Sequence, residues 1–183
     1  MKRLMTPVGV AVLFALCGAL SSQFLDENGQ HGFLLLVPVP FALLFAALFL
    51  RTATEIVAAP LFVVAWFAAY LTATYTGIAA SSELFRMPMC VGGLVGGLGV
   101  TLSATFYRRK LLSVRYLIGG CIVGSVAALP FSTWLYWVYY SNAGNDPSQR
   151  VRLRYSFAIW QAAIATYLYL CTRAKRAPLQ DSR

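Results

Sequence analysis

The sequence predicts an all-α integral membrane protein, a bundle of six transmembrane helices with both termini in the cytoplasm. The first observation behind this is composition: 59% of the 183 residues are hydrophobic and 11% are charged. Soluble domains carry about 25% charged residues. The second is a series of six apolar runs, each close to the roughly 20 residues that a helix needs to cross the hydrocarbon core. The third is the uneven distribution of Lys and Arg between alternate gaps, which is typical of multi-pass proteins.

The six spans are predicted to make up a single transmembrane domain over residues 1–183, with limits predicted to within a few residues. They run from Thr6 to Leu25, Phe33 to Leu50, Ile56 to Ile78, Met87 to Tyr107, Tyr116 to Tyr139 and Tyr155 to Thr172. The gaps are mostly short, so no extramembrane domain fits between the spans. The longest gap runs from Tyr140 to Arg154, and the stretch SNAGNDPSQ at residues 141–149 within it is expected to be a surface turn. Residues 173–183 are expected to form a short basic cytoplasmic tail.

Two interpretations of the first span remain open. It follows Lys2 and Arg3 and contains small residues next to Cys17, which is also the pattern of a cleaved signal peptide. We favour a retained helix because the apolar run continues to Leu25, beyond that candidate cleavage site.

Prolines mark where the other spans are expected to begin or bend. Pro38 and Pro40 interrupt the second span, and Pro130 lies past the centre of the fifth. Proline removes a backbone donor and kinks a helix, and within a bundle neighbouring helices can satisfy the carbonyls that it leaves. Pro60 and Pro88 lie in the first turns of the third and fourth spans, where proline is tolerated best.

The basic residues set the predicted orientation. With the N-terminus inside, 11 of the 15 Lys and Arg residues lie on the cytoplasmic side, as the positive-inside rule requires. This pattern predicts a multi-pass protein of a bacterial inner membrane. Aromatic residues at the outer ends of the last two spans, including Trp134, Tyr155 and Trp160, are expected to anchor the protein at the interface.

The fourth span contains the run VGGLVGGLGV at residues 91–100. Glycines four residues apart leave a groove in which a second helix can approach closely in a membrane. The fifth span carries a matching strip of small residues, and a short basic loop joins the two spans, so we expect an antiparallel hairpin. The expected packing glycines are Gly92, Gly93, Gly96, Gly97, Gly99, Gly120 and Gly124. A dimer seam and a permeation groove remain as alternatives.

Polar and aromatic side chains recur in the outer halves of the third, fifth and sixth spans. An amide buried in lipid needs a partner, so the glutamine of the sixth span is expected to face the bundle interior. If these spans meet, they form an outward-facing pocket that suits a small ligand. Its expected lining is Trp66, Tyr70, Thr74, Trp134 and Gln161, with Arg154 at the rim. The alternative is an ordinary hydrogen bond between helices.

The sequence predicts neither an enzyme nor a metal site. Ionisable residues, which ion-driven transporters keep inside the bilayer, are missing from the centres of the spans. The single histidine, His31, shares an outer loop with Asp26 and Glu27, which is usually a solvated turn. No cofactor is expected. No nucleic acid is expected either, because the net charge of +9 falls in short gaps where it serves as a topology signal.

Three functions remain, in descending order of preference. The first is a non-enzymatic protein that acts by assembling with a membrane partner or with further copies of itself. The second is a passive small-solute carrier or the substrate-binding membrane subunit of a transporter. Size and helix count are similar to those of the substrate-binding subunits of energy-coupling-factor vitamin transporters, whose docking helix has small residues like Ala11, Ala15 and Ala19. This similarity identifies no family. The third is an enzyme acting within the membrane or on lipid.

Overall fold

The protein is described by a computed structural model over residues 6–21, 39–49, 86–107, 113–131 and 147–173, with the single positions 60, 64, 67, 68 and 72. The described residues form five helices and no strand, which confirms the predicted all-α class for this part of the sequence. The helices are α1 (Pro7–Ser21), α2 (Val39–Phe49), α3 (Arg86–Tyr107), α4 (Val114–Ala127) and α5 (Pro147–Arg173).

Each of these helices overlaps a different one of the six predicted spans. Local signals explain several of their ends. Thr6 caps α1, since its Oγ1 accepts a hydrogen bond from the backbone N–H of Gly9 at 3.1 Å. Pro7 follows as the first helical residue, where its fixed φ suits the helix.

The third predicted span lies outside the described residues except for its isolated positions, which are helical.

Part of the expected surface turn is helical, which corrects that prediction. The structure begins α5 at Pro147, inside the stretch expected to be a turn and eight residues before Tyr155, where the sixth span is predicted to begin. Pro147 occupies the first helical position and therefore starts this helix. As a result, Arg150, Arg152 and Arg154 belong to its first turns.

The regular helix of the fifth span is interrupted just before Pro130. α4 ends at Ala127, a turn follows at Ala128, and helical backbone resumes through Phe131. Pro130 has no N–H to donate to the preceding turn. The N–H of Ala128 is shared between the carbonyls of Gly124 (3.1 Å) and Ser125 (3.2 Å), and that of Phe131 reaches only three residues back. The interruption is therefore a short tightening of the helix around this proline.

Among the described helices, the stretch Val114–Phe131 is long and apolar enough to cross a membrane. Two others, Pro7–Ser21 and Cys90–Ala104, are apolar but shorter. Over the described ranges, the structure thus supports an all-helical fold with one candidate membrane-spanning helix, and the bundle of six spans stays a prediction.

The large aliphatic side chains of two helices point outward. On α1 they recur every fourth residue and are 55 to 70% exposed. The same spacing occurs on α4, and such contiguous apolar surfaces mark contact with lipid or protein. The residues are Val8, Val12, Leu16 and Leu20 on α1, with Val114, Ile118, Ile122 and Val126 on α4.

Glycines allow α3 and α4 to pack closely as an antiparallel hairpin. A Cβ on Gly97 would overlap the carbonyl oxygen of Gly120, and a Cβ on Gly93 would overlap that of Gly124. Thr101, one turn beyond Gly97, lies against Gly120 and donates its hydroxyl to the Gly97 carbonyl at 2.6 Å. Two backbones can approach this closely only where both helices lack side chains.

The remaining packing glycines on α3 lie off this line of contact. Gly92 and Gly96 are buried, and Gly99 is half-buried. The Gly99 carbonyl accepts a hydrogen bond from the hydroxyl of Ser103 at 2.8 Å. The α3–α4 contact therefore runs along the strip that includes Gly93 and Gly97, beside the other three glycines.

α5 packs against both α1 and α4. Where α1 crosses it, a Cβ on Gly18 would lie 2.7 Å from the Cα of Ala158, so glycine is needed at this close approach. An aromatic cluster fills the core beside this crossing. Phe14 meets Phe41 edge to face at 5.2 Å, and Phe131 meets Phe157 in the same way at 5.0 Å.

Candidate functional site

The most polar site within the described core centres on Gln161 of α5. Its side chain is 0% exposed, and its Nε2 donates a hydrogen bond to Oγ of Ser21 at 3.3 Å. Ser21, also fully buried, closes α1 and donates its own hydroxyl to the carbonyl of Cys17 at 2.9 Å. These groups form a short series of hydrogen bonds that links α5 to α1.

This series leaves one buried acceptor without a donor. Oε1 of Gln161 has no hydrogen-bond partner. Ser21 cannot supply one in this arrangement, because its only proton is already directed at Cys17. The site therefore presents an open acceptor inside an apolar core.

The predicted outer pocket is only partly within the described residues. Gln161 faces the interior, and its hydrogen-bond partner is Ser21 of α1. Arg154 lies on α5 two turns before Gln161 and is exposed. Trp66, Tyr70, Thr74 and Trp134 lie outside the described residues, so their part in a pocket stays a prediction. The sequence does not predict that Ser21 contacts Gln161, since 140 positions separate the two residues.

The expectation that Trp160 anchors the protein at the interface is wrong. Its side chain is buried, and its indole N–H donates to the carbonyl of Gly124 on α4 at 3.2 Å. This contact is possible because Gly124 has no side chain to cover its carbonyl. Tyr155, five residues earlier, is exposed as an interfacial residue would be.

A tyrosine makes the same kind of contact further along α5. The hydroxyl of Tyr167 donates to the backbone carbonyl of Tyr116 at 2.7 Å. A Cβ on Gly119 would overlap this hydroxyl, so glycine leaves the space for it. Together, Trp160 and Tyr167 fix the antiparallel register of α4 and α5.

A shallow apolar groove opens between α1 and α4, with α5 as its floor. Its volume is about 380 Å³, and small residues occupy most of its base. The hydroxyl of Thr166 is buried here and has no hydrogen-bond partner. The lining residues are Ala11, Val123, Ala162, Ala163, Thr166, Tyr167 and Leu170.

Within the described residues, no three His, Cys, Asp or Glu side chains gather where they could hold a metal ion. The four cysteines are all thiols, with Cys17 and Cys171 buried and Cys90 and Cys121 half-buried. The loop residues Asp26, Glu27 and His31 lie outside the described part of the sequence.

No protein-family model matches the sequence, and no curated protein or solved structure matches it either. The function must therefore be inferred from the arrangement of the residues themselves.

Proposed function

We propose that this protein is a non-enzymatic, six-span protein of a bacterial inner membrane that acts by assembling with a membrane partner. The exposed aliphatic stripes of α1 and α4 support the membrane placement. In a bilayer, apolar side chains face the lipid while small and polar residues mediate contacts between helices. The interior of the described bundle has that character, with Gly18, Gly97, Gly124 and Gln161 at its helix contacts.

The groove between α1 and α4 is the observation that carries the assembly proposal. Its base of Ala162 and Ala163 would let the backbone of a partner helix come close.

Filling the groove tests this function. We expect Ala163→Trp to remove a larger complex from gently solubilised membranes, because the indole would occupy the space that a partner helix needs. Native mass spectrometry measures the complex and tells a second copy from a different protein by mass. The matched control, Ile118→Trp, places the same ring on the exposed face of α4 and should leave the complex intact. A complex that survives Ala163→Trp unchanged, or wild-type protein that is monomeric throughout, would contradict the proposal.

The second candidate function is a passive small-solute carrier or a substrate-binding membrane subunit. The unpartnered amide oxygen of Gln161 favours it, because a buried acceptor without a donor suits a site that is filled by a ligand.

Gln161→Ala separates the two candidate functions. If the second is right, this variant fails to complement a strain lacking the protein, while its expression and the groove-dependent complex stay normal. Gln161→Leu, which fills the volume left by the amide, should fail in the same way. Full complementation by both variants would exclude solute binding at Gln161 and leave assembly as the function.

A further inference from the structure

We propose that Gln161, together with Ser21, forms a binding site for a small neutral molecule that donates a hydrogen bond through an O–H or N–H group. The inference rests on the second candidate function and deepens it by naming the chemical class of its ligand. It does not depend on the groove or on any partner helix.

The energetics of the amide are the first step. A buried acceptor left without a donor costs about 1 to 3 kcal/mol. In a hydrocarbon environment bulk water cannot relieve this cost. A leucine or methionine would fill the same volume without this free-energy cost. The amide of Gln161 is therefore unfavourable unless a donor reaches Oε1.

The geometry shows that the described hydrogen bonds leave the acceptor open. Nε2 of Gln161 donates to Ser21 at 3.3 Å, and the hydroxyl of Ser21 donates onward to Cys17 at 2.9 Å. Both donors thus point away from Oε1, which remains unpaired at 0% exposure.

The charges around the site select a neutral ligand. The described residues contain no Asp or Glu, so no carboxylate among them could balance a cation at Gln161. A lone amide oxygen cannot bind an anion, because it offers only an acceptor. Arg154 is exposed. It lies about 10 Å from Gln161 along the axis of α5, because an α-helix rises 1.5 Å per residue. A hydroxyl or amide N–H satisfies the acceptor without bringing a charge into the core.

Water and a small solute share this chemistry, and infrared difference spectroscopy can tell them apart. The experiment compares the full-length wild-type protein in lipid nanodiscs with Gln161→Leu, or with Gln161→Met if the first variant does not fold. The difference isolates the carbonyl stretch of the Gln161 amide group, which moves to lower frequency when Oε1 accepts a hydrogen bond. Exchange into ¹⁸O-labelled water identifies bound water, and glycerol and urea serve as hydroxyl and amide donors.

Two results support the proposal. A low-frequency carbonyl band, together with an ¹⁸O-sensitive water band that is lost in Gln161→Leu, shows that water occupies the site. A carbonyl band that shifts to lower frequency as glycerol or urea is added shows that a solute does. Thr166→Val is the matched control, because it removes another unpartnered buried oxygen and should leave these bands unchanged.

Two other results overturn the proposal. A carbonyl band that stays at the unbonded frequency under every condition means that no donor reaches Oε1. A low-frequency band that responds to neither probe and has no associated water band means that the protein itself supplies the donor, as Ser21 would with the amide rotated by 180°. All of these results are independent of complementation by Gln161→Ala, so failure of the site and failure of the carrier function are distinguishable.

Discussion

Gly97→Ala is expected to lower the thermal midpoint of the purified protein by roughly 6 °C, while Gly9→Ala leaves it unchanged or slightly raised. A methyl group at Gly97 would overlap the Gly120 carbonyl oxygen and lie 3.1 Å from the Cα of Gly124. Since both obstacles are backbone atoms, α3 and α4 must move apart. Overpacking of this kind costs about 2 kcal/mol, and in a protein of this size each kcal/mol corresponds to about 3 °C.

Gly9 is the matched control because it also lies in a helix but has space for a methyl group. A Cβ there would lie 3.5 Å from Oγ1 of Thr6, an ordinary van der Waals contact. Alanine is a better helix former than glycine by up to about 1 kcal/mol, so Gly9→Ala should be neutral or stabilising. Thermal unfolding in mild detergent, followed by tryptophan fluorescence, measures both variants. Equal midpoints for the two would show that α3 and α4 are not in close contact.

Ile122→Arg is expected to reduce the amount of folded, membrane-integrated protein several-fold, whereas Val114→Arg is expected to have little effect. Ile122 lies at the middle of the stretch Val114–Phe131 and is 58% exposed. If that face meets lipid, arginine there costs about 2.5 to 3.5 kcal/mol of insertion free energy. Val114 is 69% exposed on the same face but at the end of the helix, beside Arg115, where a long arginine side group reaches the headgroups.

This pair of variants separates a membrane helix from the surface helix of a soluble protein. In a soluble protein, replacing an exposed residue usually changes stability by less than about 0.5 kcal/mol. Both arginine variants would then behave like the wild type, and the protein would leave the pellet when membranes are washed with alkaline carbonate. The measurement is the yield of full-length protein in the carbonate-resistant fraction, with Ile122→Ala to correct for the loss of the isoleucine.

The positions of the described helices follow closely from local sequence. Apolar runs of sufficient length, with Pro7 at one start, place the starts of α1 and α4 to within two residues of the predicted ones. The start of α5 was missed because the run around Asn145 and Pro147 resembles a turn. The same proline that favours a turn also favours the first position of a helix, and local sequence does not decide between the two.

Which face of each helix is buried was harder to predict than where the helix lies in the sequence. In soluble proteins a polar face shows which side of a helix is exposed. In these helices the inward and outward faces are both apolar, so the pattern carries little information about rotation around the helix axis. Trp160 illustrates this, because an amphipathic ring near the start of a span suits the interface as well as it suits a buried hydrogen bond to Gly124.

The helical class, the apolar composition and the small-residue strips that include Gly97 and Gly120 follow from the amino-acid sequence alone, because each depends on residues that are near one another along it. The contact of Gly97 with Gly120 and the pairing of Gln161 with Ser21 are visible only in the folded protein. The same is true of the groove between α1 and α4. These features depend on how each helix is rotated and which neighbour it meets, and that is set by close packing of distant segments.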